Sequence, residues 1–224
     1  VAILALPGLL YYLLQEKGKN RYRPLPIFGP KEVAATFHTK RGKNIPDTIY
    51  HQVQDFGLVN QDNQPVSFSA DNHKITVVNF FFTRCTSFCK GMNQQMLRVG
   101  QRFQNNRLMQ FYSITVDPEF DTPEVLKKYS VQFAAKPVNW QFLTGDKAEI
   151  YQLSKEGFLL DALQDTTQSN HFIHTAKLVL LDAQKRIRGY YDANSKEQVD
   201  KLIDEIKVLI TEQLREEQRE NKLN

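Results

Sequence analysis

The run Ile75-Thr-Val-Val-Asn-Phe-Phe-Phe82 constrains the fold more than any other stretch of this chain. It is β-branched and aromatic, and its polarity does not alternate. Such a run suits a strand buried on both faces, which requires a sheet covered by other elements on each side. Phe111-Tyr-Ser-Ile-Thr-Val116 reads as a second buried strand. Ala176–Leu181 and Arg186–Tyr191 read as a terminal hairpin, and Val53–Val59 with Val66–Ser69 as an earlier one around the Asn60–Pro65 turn.

Helical periodicity fills the spaces between these strands. Met92, Met96, Val99 and Phe103 recur at helical spacing, which predicts a helix from about Cys89 to Leu108. Thr122-Pro-Glu predicts a helix start with Thr as N-cap and Pro at the first position. A third helix is expected over Lys147–Ser154, and a last one from Ser195 past Leu214, burying Val199, Leu202, Ile206 and Leu209. The pattern is α/β: a thioredoxin-like arrangement of a central mixed sheet flanked by helices, with a cysteine pair at a strand-to-helix turn.

The N-terminal end is of a different kind. Val1–Leu14 carries no charge and lacks a polar face, which fits either a membrane span truncated at its N-terminus or a signal-peptide core; the absence of a small-residue cleavage site in Gln15–Asn20 favours a retained single-span anchor. Lys17, Lys19, Arg21, Arg23, Lys31, Lys40, Arg41 and Lys43 follow it, and Arg23-Pro-Leu-Pro-Ile-Phe-Gly-Pro30 excludes a regular helix. The expected organisation is an anchor over 1–16, an extended linker over 17–50, a domain over 51–215 and a polar tail over 216–224. The net charge of +4 gives no argument for nucleic acid. Most of that excess belongs to the segment behind the apolar stretch.

Cys85 and Cys89 are the chain's 2 cysteines. If they span the first turn of a helix, their sulfurs face one side, close enough for one metal ion or a disulfide. A helix N-terminus lowers a thiol pKa, and Arg84 and Lys90 add positive charge nearby. Soft thiolates favour Cu(I), with zinc as the usual competitor. The alternative is a pair of buried, inert cysteines. Position favours chemistry, because sites in open α/β sheets gather at the carboxyl ends of strands.

Other candidate groups surround this turn. His38 and His51 lie in or just after the linker, and His73 in a polar turn. His171 and His174 immediately precede the Ala176 strand, in a loop that could approach the cysteines or serve as an ordinary loop. Asp117 falls at the same sheet edge, where it could orient a basic group or a partner. Asp121 could cap the following helix. Met92 and Met96, one turn apart, read as core.

Taken together these residues resemble the SCO/SenC family of membrane-anchored, thioredoxin-like copper proteins. Where the family pattern is approximately T-x-C-P-x-x-C-P this chain reads Thr83-Arg-Cys85-Thr-Ser-Phe-Cys89-Lys90, and D-P-x-x-D-T-P is met by Asp117-Pro-Glu-Phe-Asp-Thr-Pro123. Leu143-Thr-Gly145 and Ile173-His174-Thr175 match its L-T-G and D-H-[ST] elements. The resemblance implies a copper site of Cys85, Cys89 and His174. It also implies a role in assembling the dinuclear copper centre of cytochrome c oxidase, with that enzyme's copper-bearing subunit as partner. The domain would then lie on the periplasmic side of a bacterial cytoplasmic membrane. Thr86 and Lys90 stand where the pattern has proline, which frees the loop. Ile173 stands where it has aspartate, which removes a carboxylate that would orient the histidine.

Three functions remain open at this level. The first is a metallochaperone. The second is a thiol–disulfide oxidoreductase in which Cys85 and Cys89 form the redox pair and His174 is not needed. The third is a structural subunit of a respiratory complex.

Overall fold

The structure is a computed structural model that describes residues 24–40, 42–71, 73–86, 89–133, 139–160 and 176–223. Its framework is a sheet of 7 strands. The strands are β3 (Leu58–Asn60), β4 (Pro65–Val66), β5 (Ile75–Phe81), β6 (Met109–Thr115), β7 (Trp140–Thr144), β8 (Lys177–Leu181) and β9 (Ile187–Asp192). They lie in the order β4-β3-β7-β6-β5-β8-β9. The β5–β6 and β6–β7 pairs are parallel, and the outer pairs are antiparallel. The helices are α1 (Cys89–Arg102), α2 (Pro123–Ser130), α3 (Lys147–Gln152), continued by a π turn over Leu153–Gly157, and α4 (Lys196–Leu223).

Every residue of β5 and of β6 is buried, as the unbroken apolar runs require. Alternation then divides each run between two cores. Ile75, Val77 and Phe81 face a core shared with Met92, Met96 and Val99 of α1, Leu126 of α2, and Val199, Leu202 and Ile206 of α4. Val78 and Phe80 face the other, shared with Phe56, Phe68, Ile150, Leu153 and Phe158. Met92 and Met96 are fully buried, so both belong to packing.

A polar seam crosses the first core, on the β5 position between Val77 and Phe81. Asn79 Nδ2 donates to Asn93 Oδ1 at 2.8 Å, and Ser113 Oγ donates to Asn79 Oδ1 at 2.6 Å. Trp140 Nε1 donates to Ser113 Oγ at 3.0 Å, and Asn93 Nδ2 donates to the Tyr129 hydroxyl at 3.1 Å. The seam ties β5, β6, β7, α1 and α2 together, and its satisfied bonds fix their relative register.

Several expectations differ from what is observed. The segment 31–50, expected to be part of an extended linker, forms an antiparallel hairpin of β1 (Lys31–Lys40) and β2 (Lys43–Tyr50). Residues 24–30 are extended but pinned: Phe28 N donates to Ile187 O, and the Arg188 guanidinium donates to the carbonyls of Leu25 and Pro26. α4 continues through Leu223, so the polar stretch from 216 is helix and no separate tail begins there. Polar residues on an exposed helix face look like a tail when read alone. The early hairpin is shorter than its alternation suggested, with Leu58 paired to Val66.

β7 was not anticipated, because a short stretch behind Pro137 and Asn139 gives little pattern. Its end explains Gly145. A Cβ there would lie 2.6 Å from Leu58 Cδ2, so any larger residue would force the buried Leu58 side chain to shift. Among the described residues no helix is long and apolar enough to cross a membrane, and Val1–Leu14 lies outside them.

The seam makes a quantitative prediction. Asn93→Ala strands Asn79 Nδ2 and the Tyr129 hydroxyl, and should cost about 2–4 kcal/mol by urea unfolding. Combined with Tyr129→Phe, the loss should fall short of the sum of the two single losses. Strict additivity would show that the seam does not act as a unit.

Candidate functional site

The thiols lie where β5 leaves the sheet. Cys85 does not belong to the first helical turn, as its spacing had suggested. It precedes α1, which begins at Cys89. A turn brings the pair together: Cys85 N donates to Phe82 O at 3.2 Å, and the Cys89 thiol is hydrogen-bonded to Cys85. Neither cysteine is in a disulfide, and Cys85 is half-buried while Cys89 is buried. Ser87 and Phe88 between them lie outside the described residues.

The local field also differs from the sequence expectation. Burial, reinforced by the Cys85 contact and charge, pushes the Cys89 thiol up to about 12, against hydrogen bonds from the Phe82 and Cys89 backbones. Desolvation therefore outweighs the helix N-terminus that was expected to lower it. The positive charge of Arg84 is already engaged. Its Nη2 and Nε donate to Asp117 Oδ2 at 2.6 and 3.1 Å, and its guanidinium lies 4.3 Å from the Phe120 ring centroid. Asp117 thus orients a basic group, and that group belongs to the chain itself.

Asp121 has a different role from the expected cap. Thr122 caps α2, accepting from Val125 N. The Asp121 carboxylate is fully buried and faces back toward the cysteine turn. It accepts from Thr83 N at 3.0 Å, from Thr83 Oγ1 and from Thr115 Oγ1. Thr115 Oγ1 in turn accepts from Asp117 N at 3.0 Å. One carboxylate therefore ties the end of β6 to the loop two residues before Cys85. Neither Thr115 nor Asn93 stood out in the sequence, because the signal is a contact between distant segments.

Tyr129 closes the inner side. Its ring stands 5.3 Å from that of Phe81, and burial raises its hydroxyl to about 12, with the Cys89, Cys85 and Asp121 charges acting in the same direction and the Asn93 bond opposing. The thiol pair therefore sits against a largely apolar, aromatic wall.

His174 and His171 lie outside the described residues. The described histidines are engaged elsewhere or exposed. His38 Nδ1 contacts Asp47 at 2.6 Å, His51 Nε2 lies 2.7 Å from Gly157 O, and His73 is exposed. Among the described residues no group of three or more His, Cys, Asp or Glu side chains is set to hold a metal ion. Two adjacent sulfurs offer a soft, two-donor site that takes one further ligand to complete a three-coordinate ion.

Comparison with known proteins gives consistent matches. The family model described as SCO1/SenC matches residues 47–211. A SCO1 protein homolog of Bacillus subtilis is 26% identical over 168 residues, covering 74% of this chain and 86% of its own length. A Stutzerimonas stutzeri protein named for copper binding is 30% identical over 139 residues, covering 61% of this chain and 67% of its own. The solved structure of BsSco, described as having a disulfide switch and as a member of the Sco family of cytochrome c oxidase assembly proteins, superposes with a TM-score of 0.62. It is 26% identical and covers 72% of this chain and 94% of that one.

Two expectations follow from this geometry. Asp121→Ala leaves the Thr83 and Thr115 donors buried and unpaired, and should lower stability by about 2–4 kcal/mol in urea unfolding of the reduced protein. A loss under about 0.5 kcal/mol, the range of an ordinary surface change, would remove the clamp. In the reduced protein, iodoacetamide followed by peptide mass mapping should modify Cys85 well before Cys89. Equal rates would contradict the difference in burial.

Proposed function

Because the chain belongs to the SCO1/SenC family, we propose that it binds copper through Cys85, Cys89 and His174 and serves cytochrome c oxidase assembly as a metallochaperone. The observation that carries this reading is the thiol pair held together at the carboxyl end of β5 by the Phe82 turn and the Asp121 clamp. Two sulfurs suit Cu(I), and an imidazole suits copper in either oxidation state. Copper is cargo in this scheme. Each thiol that ligates it gives up a proton, which the apolar wall disfavours until the cation arrives to balance the charge.

The copper-bearing subunit of the oxidase is the proposed recipient. The uncharged Val1–Leu14 segment supports anchoring in a bacterial cytoplasmic membrane. Placing the domain on the periplasmic side rests on the family resemblance alone, since the basic residues behind the segment by themselves favour the cytoplasmic side.

A second reading is thiol–disulfide exchange, favoured by the hydrogen-bonded thiols and by the half-exposure of Cys85. A target disulfide would be reduced to two thiols while Cys85 and Cys89 are oxidised to a disulfide, so two electrons and two protons pass to the target.

One titration separates the readings. The full chain, reduced and solubilised in detergent, should bind one copper ion per chain with a sulfur-to-copper absorption band. Cys85→Ser or Cys89→Ser should abolish that band, and His174→Ala should weaken affinity at least about tenfold. Unchanged affinity in His174→Ala would remove the histidine from the site. Absence of copper binding together with reduction of a protein disulfide would favour exchange.

A further inference from the structure

The β1–β2 hairpin is absorbed by none of the chemistry above. Most of it lies outside the family match, which begins at residue 47. It forms its own 2-stranded sheet, separate from the 7-stranded one. A two-stranded hairpin alone is at best marginally stable in water, so its apolar side chains should be covered if it is to persist. They are not covered: Val33 is 77% exposed and Phe37 64% exposed. The register pairs Val33 with Thr48 and Phe37 with Pro46. Alternation therefore puts Val33, Phe37 and Pro46 on one face.

The charge of the hairpin as a whole indicates what would cover it. Between Lys31 and Tyr50 the chain carries Lys31, Lys40, Arg41 and Lys43 against Glu32 and Asp47, and Asp47 is already paired with His38. Lys40 and Lys43 pair with each other at the far end of the hairpin, on the face opposite Phe37, which also carries the exposed Ile45 and Ile49, so both faces of the hairpin combine apolar and basic residues. At its base a cleft of about 590 Å³ is lined by Lys31, Arg215 and Arg219 beside Glu212 and Glu216, while Arg186 and Arg188 in the same lining are already paired with Asp182. A surface combining exposed apolar side chains with excess cations complements a layer that is apolar beneath anionic groups.

Chain length points the same way. Sixteen residues lie between Leu14, at the end of the uncharged segment, and Lys31. That length spans at most about 60 Å fully extended, and any less extended path brings the hairpin closer. We propose that the β1–β2 hairpin is a membrane-docking element. Val33 and Phe37 insert at the interface of an anionic bilayer, the basic residues meet its headgroups, and the thiol domain is thereby given a fixed height and orientation over the membrane. The proposal rests on the reading of Val1–Leu14 as an anchor only for proximity; the docking chemistry belongs to the hairpin.

The test uses the full chain with Phe37→Trp, incorporated into vesicles of phosphatidylcholine alone or mixed with phosphatidylglycerol, some of them brominated. The single native tryptophan, Trp140, is fully buried and adds a background that does not respond to lipid. Brominated lipid should quench position 37 several-fold more in the anionic vesicles. High salt should weaken the effect. Lys40→Glu with Lys43→Glu should reduce it further, since each lysine near an anionic surface is worth roughly a five-fold in partitioning.

Flotation of the same vesicles reads the anchor separately. A chain that floats while position 37 stays open to a water-soluble quencher in both lipids overturns docking and leaves the anchor intact. A chain that fails to float removes the anchor, and quenching by excess anionic vesicles then supports docking, while its absence overturns it. Protection at position 37 only after a partner protein is added, or only as the chain self-associates, also overturns the lipid assignment.

Discussion

The burial of β5 on both faces is the constraint on which the remaining structure depends. A strand at the middle of a sheet has no solvent side, so its residues must feed two cores at once. Here Val77 and Phe81 serve one core and Val78 and Phe80 the other, while Asn79 between them is satisfied by Asn93 and Ser113. That arrangement sets the end of the strand. Phe81 O receives Val116 N, Phe82 O receives Cys85 N, and the thiols emerge where the sheet stops. Their position is thus a consequence of core packing carried to the edge of the sheet.

At that edge the protein handles charge economically. Asp121 spends its carboxylate on the Thr83 and Thr115 donors, and Asp117 takes up Arg84. The cysteines pack in the same core cluster as Phe81 and Tyr129, and Cys89 stays protonated until something compensates the charge of its thiolate. A soft cation supplies that compensation, whereas an isolated buried thiolate would bear its full desolvation cost. The same environment leaves one sulfur more accessible than the other, an asymmetry that suits ordered ligand exchange or ordered attack on a disulfide.

The hairpin adds a surface that the family-matched domain lacks. Its apolar residues have no counterpart in either core, and its cations exceed its carboxylates. Under the proposed function, a thiol domain held at one height would meet a membrane-embedded partner in a way that depends on orientation more than on diffusion through bulk solvent.

Much of the fold was legible from local pattern. The β5 and β6 runs, the helical spacing of Met92, Met96 and Val99, and the Thr122-Pro123 start all carry their structure in neighbouring residues. The place of Cys85 and Cys89 at the end of a buried strand likewise pointed to chemistry, where their spacing alone left inert packing equally open. β7 and the length of α4 were less legible, since a short strand and a polar helix face are both defined by what they pack against. The role of Asp121 was hidden for the same reason, as Thr83 lies 38 residues away from it in the chain. Strand burial, helix starts and the pairing of two thiols follow from side-chain chemistry at short range, so the sequence by itself determined them. The protonation of Cys89, the engagement of Arg84 by Asp117 and the clamp before Cys85 depend on groups that only packing brings together, so the tertiary structure alone decided them.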